Sequence, residues 1–154
     1  MRLKVIVCVS AIILAVSFPS ACKKESPTSP SPPAPPSYGS KVGDVAADFS
    51  ANDQNGETVT LYQYFGKVIL VDFSADWCSP CRDEAGHLER VFQAYKDRGL
   101  QVITILISGS PSAWANQYKL TLPVLDDNAE KLWNIYGEGY VPLNIILDRR
   151  MTIR

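Results

Sequence analysis

Cys78 and Cys81 are two residues apart in the run Trp-Cys-Ser-Pro-Cys. Two cysteines at this spacing can form a reversible disulfide bond, and the chemistry of such a pair is thiol–disulfide exchange. The mostly apolar residues 68–77 predict a buried strand that leads into the pair, and a helical pattern begins near Pro80. A Cys-x-x-Cys pair between a strand and a helix is typical of redox motifs rather than of zinc knuckles. The pattern therefore predicts a thiol–disulfide oxidoreductase.

Cys78 is the expected nucleophile because it precedes the helix. Its sulfur would face unpaired backbone N–H groups and the positive end of the helix macrodipole, and both favour the thiolate. Cys81, one helical turn further on, is the expected resolving cysteine. A static structural disulfide and a zinc site are the alternatives. A structural zinc ion needs four ligands, whereas the predicted domain adds only His87 to the cysteine pair, so we expect no metal and no cofactor.

The N-terminus has the pattern of an export signal. Residues 1–21 comprise a short basic start and an apolar run, as in a secretory signal peptide. The run ends at Ser-Ala-Cys, which resembles a bacterial lipobox and makes Cys22 the expected lipidation site. An ordinary signal peptide and an uncleaved anchor are the alternatives, and all three export the chain. Residues 22–40 form the predicted lipid-anchored linker, in which six prolines lie between residues 27 and 36. An extended proline-rich segment of this length spans on the order of 40 Å.

Residues 41–154 are long enough for one compact domain. The whole chain has 15 basic and 16 acidic residues, so its charge gives no indication of a nucleic-acid partner. The pattern predicts a hairpin at 45–61, a helical turn at 62–65, strands at 68–73, 102–107 and 144–147, helices at 80–98, 111–118 and 128–136, and extended segments at 122–125 and 151–153. Leu88, Val91, Phe92 and Tyr95 are the predicted core face of the first helix. A strand, a helix and a strand of these lengths predict a parallel crossover and an α/β fold.

Five segments carry a family resemblance. They are GDVAADF at 43–49, GKVILVDF at 66–73, WCSPCRDE at 77–84, GYVP at 139–142 and IILD at 145–148. In this order they resemble the TlpA/ResA family of membrane-tethered, thioredoxin-like disulfide oxidoreductases, and they share the N-terminal pattern of AhpC/TSA-like redoxins. The resemblance implies a central mixed sheet flanked by helices with an N-terminal β-hairpin. It also implies that the last strand and helix of the usual domain are lacking, which would expose apolar surface.

The resemblance assigns roles to further residues. Asp72 matches the buried Asp that, in thioredoxins, relays a proton to and from the second cysteine, and burial without partners raises the pKa of a carboxyl group. A solvated aspartate at the end of the strand is the alternative. Pro142 matches the cis-proline beside the disulfide, with an ordinary trans-proline as the alternative. Val141 would pair through its backbone with an extended substrate peptide, while Trp77 would shield the pair and Pro80 would stiffen its loop.

Three residues depart from the family pattern. Ser74 stands in place of the usual Trp, Gly86 in place of Pro, and Leu143 in place of a common Thr after the cis-proline. We expect these changes to alter the rim of the site. Asp76 and Glu84 flank the cysteines and are interpreted as solvated rim charges.

The resemblance implies a lipid-anchored enzyme of the bacterial cell envelope whose domain lies in the periplasm or another extracytoplasmic space. Its expected clients are protein disulfides, with apocytochrome c typical of the family. A membrane thiol-transfer protein of the DsbD/CcdA type would return it to the reduced state. The alternatives are a thiol peroxidase and a non-catalytic binding module. A peroxidase motif needs Ser or Thr three residues before its cysteine, whereas Ser74 precedes Cys78 by four.

Overall fold

The structure, a computed structural model, describes residues 38–154. The predicted signal peptide, Cys22 and all but the last residues of the predicted linker lie outside the described residues. The first described strand, β1, spans Tyr38–Gly39 and pairs in parallel with β2, Val45–Ala46. β1 lies within the predicted linker, which was expected to end at residue 40.

A four-stranded sheet positions the cysteine pair. Its strands are β5 (Val68–Ala75), β6 (Leu100–Ser108), β7 (Val124–Asp126) and β8 (Leu143–Leu147), in the order β7-β6-β5-β8. β5, β6 and β7 run parallel, and β8 runs antiparallel to β5. The central strands are nearly all apolar because side chains pack against both of their faces. The predicted mixed sheet is confirmed.

Two clusters of buried side chains cover the two faces of this sheet. One contains Phe73 and Ile105 together with apolar residues of the N-terminal segment and of β8. The other contains Cys78, Cys81 and Leu88 with residues of β6 and β7. The disulfide pair is thus part of a packed core.

Three helices connect the strands: α1 (Ser79–Tyr95), α2 (Pro111–Tyr118) and the short α3 (Trp133–Tyr136). α1 is continuous through Gly86, and a 3₁₀ turn at Lys96–Arg98 follows it. Gly99 then adopts a φ of 89°, a left-handed conformation that glycine tolerates without strain, and the chain turns into β6.

The predicted N-terminal hairpin is confirmed, with shorter strands than expected. β3 (Ser50–Asn52) pairs antiparallel with β4 (Thr58–Thr60), and the Asp53 carboxylate accepts hydrogen bonds from two turn N–H groups. A 3₁₀ turn follows at Leu61–Tyr64. At the other end of the chain, Ile153 forms an antiparallel bridge with Leu147 at the end of β8, as predicted.

Two local predictions were wrong. The helix expected at 128–136 is present only as α3, because Glu130 adopts a φ of 54° and interrupts the helical path. Asp127 consequently caps the start of α3, where its carboxylate accepts hydrogen bonds from the N–H groups of Leu132 and Trp133 at 3.0 and 2.8 Å. The second error concerns α1, in which Val91 and Tyr95 are 39% and 45% exposed. Only the neighbouring face of α1, on which Cys81, Ala85 and Leu88 are buried, packs against the sheet.

Among residues 38–154, no helix is both long enough and apolar enough to span a membrane.

Candidate active site

The cysteine pair lies where β5 ends and α1 begins. Cys78 occupies the N-cap position with extended backbone angles, and its sulfur accepts a hydrogen bond from the Cys81 N–H at 3.2 Å. The two residues form a disulfide bond with their Cα atoms 5.3 Å apart. Pro80 lies in the first turn of α1, where its missing N–H leaves no helical hydrogen bond unmade. Reduction would leave the Cys78 sulfur at the positive end of α1, which favours its thiolate.

The surroundings of the two sulfurs differ in exposure. Cys81 is fully buried, whereas Cys78 retains 4% exposure. Trp77, the residue before Cys78, is 66% exposed, and Pro80 is also at the surface. An apolar ring therefore stands beside the cysteine that solvent and substrates reach first.

The Val141–Pro142 peptide bond is cis and lies against the disulfide. The Val141 carbonyl oxygen is 3.7 Å from the Cys78 sulfur, although 63 residues separate them in the chain. A disulfide sulfur has no proton to donate, so in this state the approach is a packing contact. A reduced Cys78 thiol could donate to the same oxygen. Tyr140, the residue before Val141, is 60% exposed.

Asp72 is 1% exposed on β5, which leads into the cysteine pair. Its Oδ2 accepts a hydrogen bond from the Ser74 hydroxyl at 2.8 Å, and its Oδ1 has no hydrogen-bond partner among the described residues. Burial raises the pKa of Asp72 to about 7, the Ser74 hydrogen bond opposes this rise, and the nearby Glu84 carboxylate adds to it. The alternative of a solvated strand-end aspartate is excluded by this burial.

Glu84 and Asn144 lie on the same side of the sheet as Asp72. Asn144 pairs with Asp72 across β8 and β5, and its side-chain amide donates to Glu84 Oε1 at 2.8 Å. Two carboxyl groups on this side of the sheet are thus each held by a neutral donor. Sequence reasoning treated Ser74 only as a departure from a family pattern, and it did not single out Asn144. A polar residue in the otherwise apolar run 143–147 was the available signal.

The rim of the site is tied together by the residues after β5. The Arg82 guanidinium donates to the Asp76 carbonyl oxygen at 2.8 Å, and the Ser108 hydroxyl donates to the Asp76 carboxylate at 2.9 Å. His87 is exposed on α1. Within residues 38–154, no three His, Cys, Asp or Glu side chains converge in a way that could hold a metal ion.

Comparison with known proteins places this geometry in a family. Residues 42–154 match the AhpC/TSA family. The chain belongs to the AhpC/TSA family. Within it, the chain is 27% identical over 117 residues to the thiol-disulfide oxidoreductase ResA of Geobacillus thermodenitrificans, covering 73% of this chain and 67% of the relative. It is 29% identical over 112 residues to ResA of Bacillus thuringiensis, covering 71% and 65%. The chain thus spans about two thirds of the length of these relatives.

A solved structure shares the fold. A thiol:disulfide interchange protein DsbE of Chlorobium tepidum superposes with a TM-score of 0.69 at 28% identity, covering 73% of this chain and 82% of that protein. The relatives and the fold confirm the resemblance to ResA-type redoxins and the thioredoxin-like architecture. The domain is accordingly an enzyme of the thiol–disulfide oxidoreductase class, and this class acts on protein disulfides.

Proposed function

We propose that this chain is an exported, membrane-tethered reductase that opens disulfide bonds in extracytoplasmic proteins through Cys78 and Cys81. The observation that carries the proposal is the disulfide at the N-terminus of α1, in contact with the cis Val141–Pro142 peptide. A static structural disulfide needs neither a helix N-terminus nor an exposed aromatic neighbour. Both features favour exchange with a partner.

The first step is attack by the Cys78 thiolate on a sulfur of the client disulfide. The client S–S bond breaks, a Cys78–client S–S bond forms, and the departing client sulfur leaves as a thiolate that takes up a proton. Cys78 is suited to this role because the N–H groups at the start of α1 would stabilise the negative charge of its thiolate, and the Cys81 N–H already donates to this sulfur at 3.2 Å in the disulfide.

The second step is attack by Cys81 on Cys78. Cys81 must first lose its proton, and it is fully buried, so bulk water is a poor acceptor. We assign the acceptor role to Asp72, whose pKa near 7 lets it exchange a proton close to neutral pH. The client leaves as a dithiol, and the enzyme retains the Cys78–Cys81 disulfide. Two electrons have then moved from the enzyme to the client.

Client binding is assigned to four residues around Cys78. Trp77 and Pro80 present exposed apolar surface on one side. On the other side, Val141 offers backbone groups to an extended client segment, and Pro142 follows it beside the cysteine, where the Val141 carbonyl oxygen is 3.7 Å from the Cys78 sulfur. The exposed Trp77 ring gives a client contact area at low entropy cost.

The cellular setting rests on the N-terminal sequence. We assign residues 1–21 to the signal peptide, Cys22 to lipidation, residues 22–40 to the tether and residues 41–154 to the catalytic domain of a cell-envelope protein. Outside the cytosol, a reductase needs a source of electrons, and a membrane thiol-transfer protein of the DsbD/CcdA type meets that need. We propose clients on the cytochrome c maturation route by analogy with the TlpA/ResA family that the sequence resembles.

Trapping the mixed disulfide tests this proposal. Cys81→Ser keeps the nucleophile but removes the second step, so a client peptide disulfide should stay covalently bound, as intact mass spectrometry would show. Cys78→Ser is the matched control and should trap nothing. Equal trapping by both variants would reject the assignment of Cys78. Rapid oxidation of the reduced domain by one equivalent of peroxide would favour a thiol peroxidase, and full client recruitment by Cys78→Ala would favour a binding module.

A further inference from the structure

Ser74 and Asp72 lie on the same face of β5 because they are two residues apart in a strand. Both are buried, with 2% and 1% exposure. The Ser74 Oγ is 2.8 Å from Asp72 Oδ2, within the range of strong O–H···O hydrogen bonds. The register of β5 against β6 shifts directly after Ser74, so this pair closes the last regular part of the strand before the cysteines.

The two oxygens of Asp72 are in different situations. Oδ2 accepts the Ser74 hydrogen bond, whereas Oδ1 is buried without a hydrogen-bond partner among the described residues. We infer that Ser74 is a positioning residue that fixes the Asp72 carboxyl group, so that the unpartnered Oδ1 takes up and releases the proton of the exchange reaction. This inference rests on the proposed role of Asp72 as the proton acceptor.

The proton goes to Oδ1 for a simple reason. While the Ser74 hydroxyl donates to Oδ2, protonation at Oδ2 would turn that oxygen into a poor acceptor and weaken the bond, whereas protonation at Oδ1 leaves Oδ2 as the carbonyl-type acceptor. The bond also stabilises the carboxylate, because hydrogen bonds to charged groups are the stronger ones. It therefore opposes the effect of burial on the pKa of Asp72.

Other elements around Asp72 contribute less specific effects. From α1, the Glu84 carboxylate raises the pKa of Asp72, and the buried Cys81, here bonded to Cys78, lies on the same helix. From β6, Thr104 pairs with Asp72 in register, and a weak hydrogen bond from its hydroxyl lowers the pKa of Asp72 less than Ser74 does, although Oδ1 has no partner at regular hydrogen-bond geometry. From β8, the neutral Asn144 is bound to Glu84. Ser74 is thus the described side chain whose hydrogen bond to Asp72 has regular geometry and the larger effect on its pKa.

The test uses Ser74→Ala, which removes the hydroxyl, and Ser74→Thr, which retains it. The pKa of Asp72 is read in the oxidised full-length protein from the carboxyl ¹³C resonance against pH, which requires no reductase activity. Loss of one charge-assisted hydrogen bond should raise this pKa by about one pH unit in Ser74→Ala. Ser74→Thr should return it toward the wild-type value. An unchanged pKa in Ser74→Ala would overturn the inference.

A second measurement separates positioning from packing. In Ser74→Ala, the pH profile of the rate of disulfide-peptide reduction should shift to higher pH, with about a tenfold loss of rate below the pKa of Asp72. In an Asp72→Asn background, Ser74→Ala should have no further effect on the profile, because Ser74 acts through Asp72. An equal effect in both backgrounds would assign Ser74 a packing role instead. A shifted ¹³C titration with an unchanged rate profile would retain the hydrogen-bond effect but reject both the acceptor role of Asp72 and this inference.

Discussion

Replacing Asp72 by Asn should stabilise the oxidised protein at neutral and alkaline pH but not in acid. An unfolded aspartate has a pKa of 3.8, whereas burial raises the pKa of Asp72 to about 7 in the folded state. Between these values the folded state binds a proton that the unfolded state has lost. Stability contributed by this protonated group is therefore fully present below about pH 4 and is lost as the pH rises toward 7.

The magnitude follows from the difference between the two pKa values. A difference of about three pH units corresponds to a loss of about 4 kcal/mol when the pH passes from below the first value to above the second. Asn has a size close to that of the protonated Asp and does not ionise, so it avoids this loss. The advantage of Asp72→Asn in free energy of unfolding should accordingly grow by about 3–4 kcal/mol between pH 4 and pH 8.

Urea denaturation of both proteins at pH 4, 6 and 8, with the disulfide intact, provides the measurement. Two parallel stability curves would refute the argument, since they would mean that Asp72 has the same pKa in the folded and unfolded states. Asp148→Asn is the control of opposite sign. Hydrogen bonds from the Thr152 N–H and the Arg154 guanidinium lower the pKa of Asp148 to about 2, so this residue contributes stability above pH 3.8 that is lost as the pH falls toward 2.

Three further predictions concern other contacts. Burial raises the pKa of Glu89, but hydrogen bonds from Thr121, Gln93 and the Leu122 N–H outweigh that effect and lower the pKa. Glu89→Ala removes these bonds and should reduce the free energy of unfolding by about 1–3 kcal/mol in urea titrations. An unchanged free energy of unfolding would mean that these bonds exchange freely with water. Gly109→Ala should reduce the free energy of unfolding by about 1–3 kcal/mol in the same assay, because residue 109 has a φ of 111° and the Cβ of an alanine would approach Asp76 to 2.9 Å. Wild-type stability in this variant would show that the loop relaxes. Trp77→Ala should raise KM for a peptide disulfide and change the free energy of unfolding by less than about 0.5 kcal/mol, because the ring is exposed; an unchanged KM would remove Trp77 from the client surface.

The parts of the structure that the sequence predicted are those specified by local signals. The transition from β5 to α1 follows from an apolar run, a Cys-x-x-Cys pair and a proline in the first turn, all within 20 residues. α3 was predicted too long because Glu130 adopts a positive φ that its residue type does not announce. Strand periodicity alone places Ser74 on the same face as Asp72. The Asn144–Glu84 hydrogen bond spans 60 residues and depends on the pairing of β8 with β5, which no local pattern specifies.

The burial of Asp72 connects the stability of the fold with its proposed chemistry. A carboxyl group that has lost its water is unfavourable for folding at neutral pH, and an apolar residue at this position would avoid that penalty. The same loss of water brings its pKa to about 7, where proton exchange with a thiol is most effective. The Ser74 hydrogen bond limits the penalty without removing it, because it stabilises one carboxyl oxygen and leaves the other unpartnered. A variant that satisfied both oxygens should therefore be more stable and should exchange disulfides more slowly, since a donor on Oδ1 would occupy the oxygen that takes up the proton.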